Sequence, residues 1–132
     1  MSDQNKYKTA RLMADLTVEQ AAEKTYISES TLKRIERGTQ PCSRDQAKAI
    51  AEAYNAPWVA DPTVPEDYEP MPKACAVLRY LNERHDVEQL MPRAMRILAD
   101  GKVDESEQKE FAMIVKEIEE ERIAGRDLMY AI

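Results

Sequence analysis

The chain has 132 residues, 25 acidic against 19 basic side chains, a formal net charge of −6, and 43% apolar with 33% charged residues. That balance describes a folded soluble chain, not a disordered one, and no apolar run approaches the roughly 20 residues a membrane helix needs. Two cysteines (Cys42, Cys75) and one histidine (His85) exclude a disulfide framework, a zinc ribbon and a His/Cys metal site, so no metal and no cofactor is expected.

The N-terminal residues Met-Ser-Asp-Gln-Asn-Lys lack a signal peptide's apolar core, which leaves the cytoplasm as the expected location. Asn5–Ala14 reads as a first helix. Thr17, with Gln20 three positions on, forms a capping box that opens a short helix Val18–Lys24. The link Thr25-Tyr26-Ile27 leads to Ser28, a second N-cap, which starts a helix Glu29–Arg37 whose Leu32 and Ile35 face one way. Gly38 ends that helix as a C-cap tolerant of positive φ. Ser43 caps a further helix to about Tyr54, with Ala47, Ile50, Ala51 and Tyr54 at core spacing, and the Trp58–Val59 region completes a bundle.

Five of the seven prolines (Pro57, Pro62, Pro65, Pro70, Pro72) fall within 16 residues. Each fixes its own φ and biases the preceding residue away from helix, so 61–72 reads as an extended connector between two helical units. Trp58, Val59, Val64 and Tyr68 imply that parts of this region pack on a neighbouring surface. Beyond it, Lys73–Glu83 is amphipathic, and Val87–Ala99 continues with Pro92 as a kink or a first-turn residue. Asp104 and Glu107 form another capping box before a helix of about 20 residues with a stripe Phe111, Ile114, Val115, Ile118. Gly125 stops or weakens that helix. Alternating strand patterns are almost absent, which predicts an all-α fold: residues 1–60 and 73–132 as helical domains on either side of the connector.

Two short helices joined by a tight turn, the second with a polar outer face, make the pattern of a helix-turn-helix reader. The segments Leu16–Lys24 and Ile27–Gly38, with Ser-Glu-Ser-Thr-Leu-Lys-Arg-Ile-Glu-Arg-Gly at 28–38, resemble the lambda-repressor/Cro-type (XRE) helix-turn-helix family over about residues 5–60. Three positions depart from the family pattern: Val18 stands for its usual Gln, Tyr26 for its turn Gly and Ala21 for a core Leu. The resemblance implies a lambda-repressor-like bundle that binds double-stranded DNA as a transcriptional regulator, with Ser28–Arg37 entering the major groove. Ser28, Glu29, Ser30, Lys33 and Arg34 then stand nearest the bases.

Chemistry supports those roles. Arg34 matches guanine O6 and N7, Glu29 accepts from cytosine N4, Ser30 reads either edge, and Lys33 suits a phosphate or plain solvent exposure. Thr17, Arg37, Thr39, Gln40 and Arg44 are candidate phosphate contacts at helix ends and loops. Arg11 and Glu36 occupy positions that pair in this family, as a structural ion pair. The whole-chain acidity does not oppose DNA: residues 1–56 hold nine bases and eight acids, whereas 57–132 hold ten bases and 17 acids.

The second half also resembles, more loosely, C-terminal regions of small phage- or mobile-element-type bacterial regulators, through Leu-Ala-Asp-Gly-Lys-Val-Asp-Glu-Ser-Glu and the acidic helix after it. The same segment imitates half of a calcium loop, but Arg96 and Leu98 stand at its first and third ligand positions and supply no carboxylate oxygen. A lone helix-turn-helix contacts few bases, so a homodimer on a palindromic site is expected. Its predicted surface is Val77, Leu78 and Leu81, then Phe111, Ile114, Val115 and Ile118, with the apolar tail Leu128, Met129 and Ile132. An antitoxin or adaptor whose acidic half binds a regulatory protein partner is the alternative. No nucleophile motif, phosphate loop or general base accompanies the cysteines, so no enzymatic activity is expected.

Overall fold

The computed structural model describes residues 4–132. The helices are α1 Lys6–Met13, α2 Val18–Thr25, α3 Glu29–Arg37, α4 Arg44–Tyr54, a 3-10 turn Pro57–Ala60, α5 Lys73–Ile97 and α6 Gln108–Met129, and there is no strand among the described residues. They divide into two compact units, the first ending at Glu69 and the second spanning Pro70–Ile132.

In the first unit each of the four α-helix starts has a side-chain cap. Asn5 accepts from the Lys8 amide at 3.1 Å, and Ser28 accepts from the Thr31 amide at 3.2 Å. Thr17 with Gln20 and Ser43 with Gln46 form complete capping boxes. These bonds satisfy amides that the first helical turn leaves without partners. The chain leaves α2, α3 and α4 through left-handed residues Tyr26 (φ +58°), Gly38 (φ +77°) and Asn55 (φ +52°). Leu32, Ile35, Ile50 and Val59 are fully buried, and Ala10, Ala21, Tyr54 and Trp58 complete the core.

Residues 61–69, read from the prolines as part of an extended connector, fold onto this bundle. Val64 and Tyr68 are buried, the Tyr68 ring lies 5.6 Å from that of Trp58, and the Lys6 amide donates to the Glu66 carbonyl at 2.6 Å. Proline restricts the backbone, but it does not prevent the apolar residues between prolines from burying their surface.

The second unit is a hairpin of two long helices, and here the sequence reading is corrected. The predicted break at residues 84–86 does not exist: α5 runs unbroken for 25 residues. Arg84, His85 and Asp86 include no helix breaker, and Arg84 Nε bonds Glu88 Oε1 at 3.2 Å across one turn of the same helix. Pro92 lies inside α5 on an exposed face, where its ring meets solvent and the helix loses one backbone bond. Gly125 neither ends nor interrupts α6. A Cβ there would stand 3.5 Å from the Tyr80 ring, so the residue lies where α6 closely approaches α5. Asp104 does not cap α6 directly; its carboxylate accepts from the Glu107 amide at 3.0 Å in a turn before the helix, and Glu107 is the N-cap residue.

The half-buried or buried positions of α5 are Ala76, Tyr80, Glu83, Val87, Leu90, Ala94 and Ile97, an alternating four-three spacing that keeps one stripe on a neighbouring helix. In α6 the positions Glu110, Ile114, Glu117, Glu121, Ala124 and Leu128 repeat it. Arg79 pairs with the buried Asp127, and Arg93 with Glu110 at 3.7 Å, so the two helices run antiparallel. The carboxylates of Glu83, Glu117 and Glu120 converge within 4.8 Å of one another at mid-hairpin. The C-terminal tail docks by its backbone: the Ile132 amide donates to the Met71 carbonyl at 3.1 Å, and the Lys73 amide donates to the Ile132 carbonyl at 2.9 Å.

Candidate nucleic-acid interface

The link between α2 and α3 is made without glycine. The buried Thr25 hydroxyl donates to the Ala21 carbonyl at 2.7 Å and accepts from the Ile27 amide at 3.3 Å. Tyr26 then takes the left-handed conformation with its ring 95% exposed. The chain therefore turns within three residues and delivers Ser28 to the start of α3.

In α3, Leu32 and Ile35 are buried, while Glu29, Ser30, Lys33, Arg34 and Arg37 are exposed together. Their spacing of one, three or four residues sets them on one side of the helix. The side facing the bundle is anchored by Arg11, whose Nε and NH2 donate to the Glu36 carboxylate at 2.9–3.1 Å. Arg11 NH1 also donates to the Leu16 carbonyl at 2.9 Å. The pair is nearly sealed from solvent, with side chains 11% and 8% exposed. One ion pair thus ties α3 to α1 and to the chain just before α2.

The outer face carries a network that positions Arg34. Its Nε donates to Gln40 Oε1 at 2.8 Å, and its NH2 reaches Thr31 Oγ1 at 3.4 Å. Thr31 in turn accepts from the Ser28 hydroxyl at 2.8 Å. The Arg34 carbonyl holds the following loop, accepting from the Thr39 amide at 3.0 Å and the Thr39 hydroxyl at 3.2 Å. With Nε engaged by Gln40 and NH2 by Thr31, the guanidinium is held on the exposed side of α3, and a guanidinium carries the paired N–H donors that two acceptors on guanine require. Gln40 and Thr39 therefore act on Arg34 as well as standing beside it. Thr31 was missed by the sequence reading; its position three residues from the cap Ser28 and three from Arg34 is the signal that could have found it.

The remaining candidates occupy helix ends. Thr17 and Arg44 are exposed at the starts of α2 and α4, where amides and helix dipole favour an anion. The Thr17 oxygen is itself engaged by the Gln20 amide at 3.1 Å. Behind this surface, burial, followed by the Glu36 charge, pushes the Tyr54 hydroxyl up to about 12. Burial likewise raises the Cys42 thiol, which opposes formation of a nucleophilic thiolate.

The residues predicted for self-association divide. Val77, Leu78, Leu81, Val115, Ile118, Met129 and Ile132 are exposed, and Phe111 and Leu128 are half-buried. Ile114 is buried at 5% exposure because it falls on the inward stripe of α6, so it is corrected from a surface residue to a core one.

Residues 8–61 match the family model of a helix-turn-helix domain. No curated protein matches the chain, and no solved structure does.

Proposed function

We propose that this chain is a sequence-specific DNA-binding transcriptional regulator of the lambda-repressor/Cro (XRE) type, phage- or mobile-element-like, acting in the cytoplasm as a homodimeric repressor on a palindromic operator. The observation that carries this reading is the outer face of α3. Glu29, Ser30, Lys33, Arg34 and Arg37 stand on one side of a helix packed through Leu32 and Ile35, within the segment that matches a helix-turn-helix domain.

In this mechanism α3 lies in the major groove, the Arg34 guanidinium reads guanine, and Glu29 and Ser30 read neighbouring base edges. Thr17, Arg37, Thr39 and Arg44 set the register on phosphates. Two copies engage half-sites about one helical turn apart, and occupancy excludes polymerase. Arg34→Ala tests the reading by fluorescence anisotropy on an operator selected from random DNA. Specific affinity should fall by about 1–3 kcal/mol, with preference relaxed at one base pair. Equal weakening on operator and random DNA would reduce Arg34 to a phosphate contact and refute its base-reading role.

A further inference from the structure

We propose that one face of the α5–α6 hairpin binds a second copy of this chain, with α5 antiparallel to the partner's α5 about a two-fold axis level with Asp86. The inference rests on the homodimer reading above and specifies its surface. Next to the inward stripe of α5 runs a second line, one residue further along at each step: Val77, Leu81, Arg84, Glu88, Met91 and Met95. All six are exposed, Met95 to 68% and the Arg84 and Glu88 side chains to 58% and 59%.

Along α6 the corresponding line, again one residue beyond the inward stripe, carries Phe111, Val115, Ile118, Arg122, Gly125 and Met129. One residue is about 100° of rotation about each helix axis. The two axes point in opposite directions, so equal rotations turn both lines to the same side of the hairpin. The result is one largely apolar face across both helices.

The α5 line is symmetric about Asp86. Arg84 and Glu88 lie two residues to either side, Leu81 and Met91 five, Val77 and Met95 nine. A two-fold axis at that level sets Arg84 against the partner's Glu88, Leu81 against the partner's Met91, and Val77 against the partner's Met95. Every cation meets an anion and every apolar side chain an apolar one. Such self-complementarity is what an isologous interface requires and what an unrelated partner has no need of.

Helix α6 agrees independently. The pairs Arg79–Asp127 and Arg93–Glu110 place Asp86 level with the Glu117–Glu120 turn, and so with Ile118. The same axis sets Ile118 on its own copy. The hairpin also needs the cover. Its buried helical residues are Ala76, Ile97, Ile114, Ala124 and Asp127, too few large apolar groups for a stable core of its own, whereas two hairpins make a four-helix bundle.

The test is sedimentation equilibrium on the full chain with Arg84→Glu, with Glu88→Arg, and with their equimolar mixture. The unaltered chain should sediment at about twice 15.1 kDa at tens of micromolar. Each variant alone sets like charges across the axis twice and should weaken association roughly tenfold or more. The mixture should recover it, because the charges are then opposite between chains. Within each chain the variants still carry like charges four residues apart, so recovery reports the contact between copies and not helix stability. A chain that is monomeric unaltered overturns both this inference and the homodimer reading. A dimer whose variants associate normally, or whose mixture does not recover, overturns this face and leaves dimerisation elsewhere.

Discussion

The ion pair between Arg11 and Glu36 is where a single side-chain change should most disturb the first unit. Glu36 receives three hydrogen bonds from Arg11 at 2.9–3.1 Å, and both side chains are almost excluded from water. Glu36→Ala leaves the guanidinium buried with only the Leu16 carbonyl as partner. Removing one member of such a pair costs about 3–5 kcal/mol, most of it the penalty of an uncompensated charge. At a urea dependence of about 1–3 kcal/mol per molar, the unfolding midpoint should fall by roughly 1–5 M. Trp58 is the chain's single tryptophan and is buried in this unit, so its fluorescence follows this unfolding without a signal from the hairpin. Arg11→Ala should cost a similar amount, and the double substitution clearly less than the sum of the two. The contrasting variant Arg11→Met with Glu36→Leu replaces charge by apolar volume and should lie close to the unaltered chain. Single substitutions that each cost under about 1 kcal/mol, and that add, would show that the pair behaves as an exposed one, and the anchoring role would fall.

Tyr26 holds a left-handed conformation that costs a side-chain-bearing residue about 1 kcal/mol, and its 95% exposed ring recovers little by packing. Tyr26→Gly should therefore raise the urea midpoint read by Trp58, and a lowered midpoint would show that the ring stabilises the turn. In the hairpin, burial first, then the charges of Glu120, Asp86 and Glu83, raises the Glu117 carboxyl. A carboxyl raised by folding is strained when charged, so hairpin stability should increase as pH falls through its folded value. Glu117→Gln should raise the thermal midpoint at pH 7 and lose that advantage toward pH 4, measured by circular dichroism; an equal gain at both pH values would refute the electrostatic cause.

Local signals in the sequence specify the first unit well because its helix ends are chemically marked. Thr17 with Gln20, Ser28, Ser43 with Gln46, and Gly38 each name a terminus through a bond or a backbone conformation that few other residues supply. The second unit is less legible for the same reason in reverse. Between Lys73 and Ile97 no cap or glycine marks an end, and a polar stretch at Arg84–Asp86 looks like a link although it is simply an outward-facing turn of a long helix. The α6 stripe was misassigned because Ile114, Val115 and Ile118 are all apolar. Apolar character alone does not say which of two adjacent lines faces α5. The line that does carries Glu110, Glu117 and Glu121, which hydrophobic periodicity passes over. Arg34's neighbours illustrate another limit: the sequence offers Gln40 only as a candidate phosphate contact, and its bond to Arg34 Nε depends on Gly38 turning the chain back.

Each half of the chain falls short alone, and the two shortfalls are complementary. On the proposed reading a single α3 offers one guanidinium and the side chains of Glu29 and Ser30 to the bases. At about 1–3 kcal/mol per good base contact, that is little discrimination from one half-site. The first unit to Glu69 holds nine bases against 12 acids, so it adds little sequence-independent attraction to phosphates. The hairpin for its part carries more apolar surface outside than inside. It exposes Leu81, Met91, Met95 and Ile118 while its inward stripes carry Glu83, Glu110, Glu117 and Glu121. In the homodimer proposed above, pairing two hairpins would cover that surface and bring two α3 helices under one symmetry operator. The energy gained by burying the bundle face would then support specificity that no residue of the hairpin needs to read directly. On the same proposal the hairpin's own charge, 13 acids against ten bases over residues 70–132, would disfavour binding of that half to the phosphate backbone.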